Sequence, residues 1–319
     1  MKISIIIPIK STLNKDLRDF TNYIISLSSQ LQKTESQIII ADESELASHL
    51  FMKEKFKNRS NISHIIPDDE IRTGANDKLN GIYAALKYVR YDNILLVDDH
   101  YRITYSTLQR LANYFNQYDC FKGTPKFDAF PFSVKIDLCG LFIVNMLDYR
   151  KQYSGHLAFK KKLIDEHGFP DRDALFDEFA MEKHFRKNQY SIGYIREASL
   201  EATQSISMKK FLEQRVRYAY ENIAFPIRFV FFLSILPLLL LLLITNNLLP
   251  LYFAAALTIG AMSVSFIGQL KYGKGIVPRH TFLYSAIWFW FYPFTSWLSI
   301  YKYFTGGVEF GGNKVRKAA

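Results

Sequence analysis

From Phe225 to Phe304 the chain is overwhelmingly hydrophobic, and this stretch limits what the whole can fold into more than any other feature. Within it FVFFLSILPLLLLLLIT, Phe229 to Thr245, and the segment Leu248 to Ile267 carry no charged residue. Each matches the roughly 17–25 residues that a helix needs to cross the hydrocarbon layer. Thr281 to Phe304 is a third candidate span, with Trp288, Trp290 and Trp297 of the kind that settle at a membrane interface. The competing reading is a buried helical hairpin in a soluble protein, which the lack of interrupting charge disfavours. The sequence thus divides near Ala224 into a first domain (1–224), a membrane region (225–305, with helices over 229–245, 248–267 and 281–304) and a basic tail (306–319). Pro293 inside the third segment leaves a full crossing and a re-entrant path open.

Charge sets the expected orientation. The 319 residues carry a formal net charge of +10, but no long basic stripe, so nucleic acid is not an expected partner. Lys271, Lys274 and Arg279 sit between the second and third apolar segments, which places that loop, and the first domain with it, in the cytoplasm. The opening MKISIIIPIKST has an apolar run too short for a span and no small-residue cleavage site, so it reads as a first strand. The expectation is an integral protein of the cell (inner) membrane with a cytoplasmic domain. Cys120 and Cys139 fit a reducing compartment, although a bridge between them is open at this level.

The first domain alternates two periods. ISIIIPI (Ile3 to Ile9), QIIIAD (Gln37 to Asp42) and NILLVDD (Asn93 to Asp99) are apolar runs of the kind that form parallel strands covered on both faces. Between the first two, Leu17, Phe20, Ile24, Leu27 and Leu31 recur at helical spacing, and Ile82, Ala85, Leu86 and Val89 do so before the third. This β-α-β order predicts an α/β fold with a mostly parallel sheet. Such sheets bind ligands outside the carboxyl ends of their strands, where Asp42 and Asp98 fall. A helix lying at the membrane interface is expected near 207–224, ahead of the first span.

Several segments carry chemistry-bearing residues, each with a plainer alternative. Asp42 accepts hydrogen bonds from a base or ribose, or is a turn-former. In RTGANDKLNGIYAALKY, Gly74 permits a tight backbone path, Lys78 offers a cation to a diphosphate, and Gly81 allows close packing at the start of a helix. Asp98, Asp99 and His100 read as metal ligands of the D-x-D kind, or as a solvated turn. The imidazole in third place favours manganese over calcium. Asp177 and Glu178, at the start of a helix, supply a general base or merely complement the helix dipole. In KKFLEQRVRYAYE, Gln214, Arg217 and Tyr218 taken alone read as surface decoration on an interfacial helix. Phe121 to Ser154 shows no readable pattern.

Taken in order, these pieces resemble the family 2 glycosyltransferases, inverting enzymes of the GT-A fold, and in particular their membrane-bound branch with ceramide glucosyltransferase-like and polysaccharide synthase-like members. ISIIIPIK is similar to the opening strand with its proline, here Pro8, and Asp42 to the aspartate that meets the nucleobase. LLVDDHYRIT falls where the family carries D-x-D, LFDEFAMEKHF resembles the segment with the catalytic base, and QRVRY resembles QxxRW with Tyr218 for tryptophan. VEFGGNKVR is similar to the ending after the last membrane helix. The resemblance implies sugar transfer, with inversion, from a nucleotide-diphosphate donor to an acceptor hydroxyl. It further implies a divalent cofactor, Mn or Mg, at Asp98, Asp99 and His100, and Asp177 or Glu178 as base. Pro8, Asp42, Lys78, Asp98, Gln214, Arg215, Arg217 and Tyr218 would line the donor site. A site facing the bilayer favours a lipid or lipid-linked acceptor, and few spans favour single addition over a processive polysaccharide synthase. The departures at His100, Asp177-Glu178 and Tyr218 keep open a membrane-anchored scaffold that binds nucleotide-sugar without turning it over.

Overall fold

The isoleucine-rich runs become the inner strands of a sheet, because β-branched side chains fit a pleated surface buried on both sides. The computed structural model describes residues 2–11, 16–148, 154–203, 207–245, 248–310 and 312–318. In chain order the first elements are β1 (Ile3–Ile9), α1 (Arg18–Leu31), β2 (Gln37–Asp42), α2 (Leu46–Phe56), β3 (Ile62–Ile65), α3 (Asp77–Leu86), β4 (Asn93–Val97), β5 (Tyr101–Arg102), α4 (Tyr105–Tyr114), β6 (Cys120–Lys122) and β7 (Lys126–Phe127). There follow α5 (Phe132–Leu147), β8 (His156–Lys160), α6 (Lys162–Asp165), α7 (Asp177–Lys187), β9 (Ile192–Tyr194) and β10 (Glu201–Ala202). Last come α8 (Met208–Glu221), α9 (Pro226–Thr245), α10 (Leu249–Gly268), α11 (Ser285–Phe304), β11 (Val308–Phe310) and β12 (Asn313–Val315).

The chain forms two units, Met1–Lys126 with Ser154–Gln204, and Phe127–Tyr153 with Ser205–Ala319. This differs from a single cut near Ala224. The physical reason lies in the segment that showed no pattern: α5 buries Ile136, Cys139, Ile143 and Val144 in one apolar cluster with Phe232 of α9, Ala261 of α10 and Trp288 of α11. The helix α8, expected at the interface, also belongs to this second unit.

In the first unit a seven-stranded sheet runs in the order β3-β2-β1-β4-β8-β6-β9. The strands β3, β2, β1 and β4 are mutually parallel, whereas β8 is antiparallel to β4 and β6. Its core gathers Ile6, Ile39, Ile94 and Leu96 from the strands with Ile82 and Ala85 of α3 and Met181 and Phe185 of α7. Pro8 lies in the central strand opposite Ala41, but pairing between β1 and β4 ends at Ile6 and Leu96. A residue without an N–H therefore fits beyond that ladder.

In the second unit, Pro226–Thr245 and the helix running on over Leu249–Gly273 are long and apolar enough to cross a membrane. Their apolar side chains are largely uncovered: Ile227 and Ile244 are each 84% exposed, which is unlike the core helix of a soluble protein. The third expected span is a continuous helix through Pro293, but it does not join those two on length and apolarity among the described residues. Ser285, Ser296 and Ser299 on its buried side and Lys302 in its last turn lower its apolar content. Cys120 and Cys139 are both free and buried.

Candidate active site

Three parallel strands deliver their carboxyl ends to one edge of the first unit: β1 leads into Lys10, β2 ends in Asp42 and leads into Glu43, and β4 leads into Asp98. Each meets a partner there. Lys10 Nζ lies 2.6 Å from Asp77 Oδ2, Arg72 lies 2.9 Å from Glu43 Oε2, and Lys78 Nζ donates to Asp98 Oδ1 at 2.5 Å. Lys78 sits in the first turn of α3, not in a loop before it. Helix α3 begins earlier than its apolar periodicity shows because the Asn76 side chain caps it, accepting from Leu79 N.

Asn76 also explains how two distant segments meet. Its side-chain amide donates to the Ala174 and Leu175 carbonyls, its own N–H donates to Arg172 O, and Ala75 N donates to Asp173 Oδ1. Gly74 is required at this seam, since a Cβ there would strike the Arg172 side chain and backbone. The seam fixes the loop that leads into α7 and so holds Asp177 and Glu178, its first two residues, beside α3. Lys78 Nζ lies 2.9 Å from Asp177 Oδ2, an ion pair without hydrogen-bond alignment. One ammonium thus joins the two acids that are 79 positions apart in the chain (98 and 177).

The electrostatics separate the neighbouring acids. Burial works against the charge on Lys78, but Asp177, Asp98 and Glu178 outweigh it and push its pKa up. Burial, then repulsion from Asp177 and Asp98, pushes the Glu178 carboxyl up to about 7 against the pull of Lys122 and Lys78. Burial also raises Glu43, to about 7, against Arg72. Lys122 itself forms a fully buried pair with Glu182, one turn after Glu178, at 2.5 Å, and Arg186 bonds the other Glu182 oxygen at 2.9 Å.

Other expected site residues are placed differently. Asp42 does not join the Lys78 cluster. Its Oδ2 is 2.9 Å from His49 Nδ1 and 2.8 Å from His64 Nε2, and its Oδ1 accepts from Ser44 N, so both oxygens are engaged inside the protein. The His100 ring lies 3.6 Å from Asp99 Oδ1 and packs on Tyr101. Among the described residues, Asp98, Asp99 and His100 do not gather three ligand atoms as Asp42, His49 and His64 do. As donors they still suit a hard divalent ion: Asp98 and Asp99 are oxygen ligands with side chains 25% and 24% exposed.

In the second unit Arg215 is buried, bonded to Asp137 and packed between the Phe211 and Tyr218 rings. Arg217 lies over the Phe310 ring, and burial lowers its pKa. Gln214 Oε1 is buried and unbonded. Glu43, Arg72, Lys122, Glu182, His49 and His64 escaped the sequence reading. For His64 a signal existed, since a strand parallel to β2 sets its last residues beside those that precede Asp42.

No family model and no curated protein matches this chain. Solved structures do. The mannosyltransferase PcManGT from Pyrobaculum calidifontis, solved with GDP-Man and Mn2+, matches 96% of this chain and 76% of its own with a TM-score of 0.51 at 11% identity. TarS from S. aureus matches 69% of this chain at 20% identity and a TM-score of 0.45, and the match spans 39% of TarS. Glucosyl-3-phosphoglycerate synthase from Mycobacterium tuberculosis matches 66% of this chain and 72% of its own at 12% identity and 0.43. The chain has the GT-A glycosyltransferase fold.

Proposed function

We propose that this protein is an inverting glycosyltransferase that moves a sugar from a nucleotide-diphosphate donor to an acceptor hydroxyl. The observation that carries the reading is the Asp98–Lys78–Asp177 cluster with Glu178 beside it, built at the strand ends of a GT-A fold. Lys78 gives the donor diphosphate a buried, permanently charged ammonium, with Asp98 and Asp177 aiming it. Asp177 is occupied by that ion pair, which leaves Glu178 as the base; a carboxyl near pH 7 is matched to taking a proton from an alcohol as it attacks. The acceptor oxygen bonds to the anomeric carbon from the face opposite the diphosphate, and the carbon–oxygen bond to the diphosphate breaks with its electron pair. The acceptor proton passes to Glu178. A divalent ion, Mn or Mg, held by Asp98 with Asp99 or His100, would supply charge neutralisation on the departing diphosphate.

The exposed apolar helices α9 and α10 support anchorage in a bilayer, and Lys271, Lys274 and Arg279 between α10 and α11 support a cytoplasmic catalytic unit. A lipid or lipid-linked alcohol is the proposed acceptor. The test incubates the full chain in native membranes with labelled UDP- and GDP-sugars and follows label into the lipid extract. Transfer by the wild type that is lost in Glu178→Gln is the expected result. Label accumulating in long polymer, or no transfer and no donor hydrolysis in any membrane lipid, contradicts the proposal.

A further inference from the structure

The carboxylate of Asp42 receives two imidazoles that come from different elements. Asp42 closes β2, His49 lies in the first turns of α2, and His64 stands on β3, the strand parallel to β2, with its neighbour across the ladder at Ile40. His49 Nδ1 and His64 Nε2 converge on the same oxygen, Oδ2, at 2.9 and 2.8 Å. The rings are stacked, with centroids 4.6 Å apart and planes 27° from parallel, and Phe56 packs edge-on against His64. All three side chains are nearly covered, at 0% exposure for Asp42, 10% for His49 and 7% for His64.

From this arrangement we infer that Asp42, His49 and His64 form a binding site for one transition-metal ion of the zinc type, separate from the residues that surround Lys78. The donor set decides the class of ion: two imidazole nitrogens and one carboxylate oxygen suit zinc, whereas magnesium and calcium prefer oxygen alone. Their ligand atoms all lie within 4.8 Å of one another. Two donors each about 2.1 Å from a tetrahedral ion stand roughly 3.4 Å apart. Parting the present 2.8 and 2.9 Å contacts by about half an ångström makes room for the ion, a shift that χ rotations of the two imidazoles supply.

The tautomers permit it. A ring that donates N–H to Asp42 must present a lone pair to a metal instead, so its proton must move to the far nitrogen. His64 Nδ1 is buried with no hydrogen-bond donor on it, so it is free to take the proton when Nε2 turns from Asp42 to the ion. The ion would tie together the end of β2, the start of α2 and β3, and three protein donors leave one coordination position open. This inference requires no nucleotide and stands whether or not the chain transfers sugar.

The test is metal content and affinity. The full-length protein, purified in detergent and stripped with a chelator, is titrated with zinc against a chromophoric competitor, and cobalt is used as a spectroscopic substitute. One equivalent of zinc is expected in the wild type and in Asp98→Asn, together with visible ligand-field absorption of bound cobalt. His64→Gln keeps a hydrogen-bond donor for Asp42 while lacking the imidazole, and its zinc affinity should fall by about tenfold or more with its metal-free melting temperature unchanged. If His64→Gln does not fold, Asp42→Asn carries the same comparison. No bound zinc in the wild type, or equal affinity in the wild type and the folded variant, overturns the inference. Loss of zinc in Asp98→Asn with retention in His64→Gln overturns it too, by moving the metal to the other cluster.

Discussion

Glu178→Gln should make the protein more stable while abolishing its activity. In the folded chain burial and the charges of Asp177 and Asp98 raise the carboxyl from its ordinary 4.5 to about 7. The folded state therefore holds this proton more tightly than the unfolded chain does. Between pH 4.5 and 7 the folded state binds more protons, so stability falls as pH rises through that window. One pKa unit corresponds to about 1.4 kcal/mol, so ionising Glu178 costs the fold up to about 3 kcal/mol above pH 7 and nothing below 4.5. Glutamine has the shape of the protonated acid and never ionises. The gain from the substitution should accordingly be near zero at pH 4.5, rise through pH 6, and level off at about 1–3 kcal/mol by pH 8. Thermal unfolding of the full chain in detergent, wild type against variant at pH 5, 6, 7 and 8, reads this directly. A variant no more stable than the wild type at pH 8, or equally stabilised at pH 5 and pH 8, refutes the electrostatic account.

Lys122→Met removes the ammonium that pairs with the fully buried Glu182 carboxylate, so a loss of about 3–5 kcal/mol is expected, and Lys122→Met combined with Glu182→Leu should recover most of it. Denaturant unfolding of the two variants makes that comparison. In the second unit, Gly140→Ala places a Cβ on the buried Trp288 indole and should cost about 1–3 kcal/mol, read as an earlier transition in tryptophan fluorescence. Anchorage by α9 and α10 predicts that the chain stays with membranes through alkaline carbonate extraction.

Where a segment's own chemistry decides its structure, the sequence was enough. The strands β1, β2 and β4 were readable because an apolar run of isoleucine and leucine buried on both faces has few other fates, and α1 because Phe20, Ile24, Leu27 and Leu31 mark one face. Asp98 and Asp177-Glu178 were legible as acids at a strand end and a helix start. What stayed hidden depends on contacts between distant segments. The apolar residues of α5 surround the helix rather than striping it, since it is packed on several sides, so no period marks it. Lys78 looked like a loop cation because only the cap at Asn76 and the seam to Arg172 and Asp173 put it between Asp98 and Asp177. His49 and His64 carry no short spacing that signals ligands; the pairing of β3 with β2 brings His64 to Asp42, and the start of α2 brings His49.

Equilibrium binding of UDP- and GDP-sugars to the detergent-solubilised chain, with and without manganese, tests the central claim most directly. The account predicts saturable binding of at least one of them by the wild type, loss of that binding in Lys78→Met and Asp98→Asn, and retention in Glu178→Gln, which removes the base and leaves the diphosphate site intact. Absence of nucleotide-sugar binding in the wild type, or binding that survives both Lys78→Met and Asp98→Asn, would contradict it.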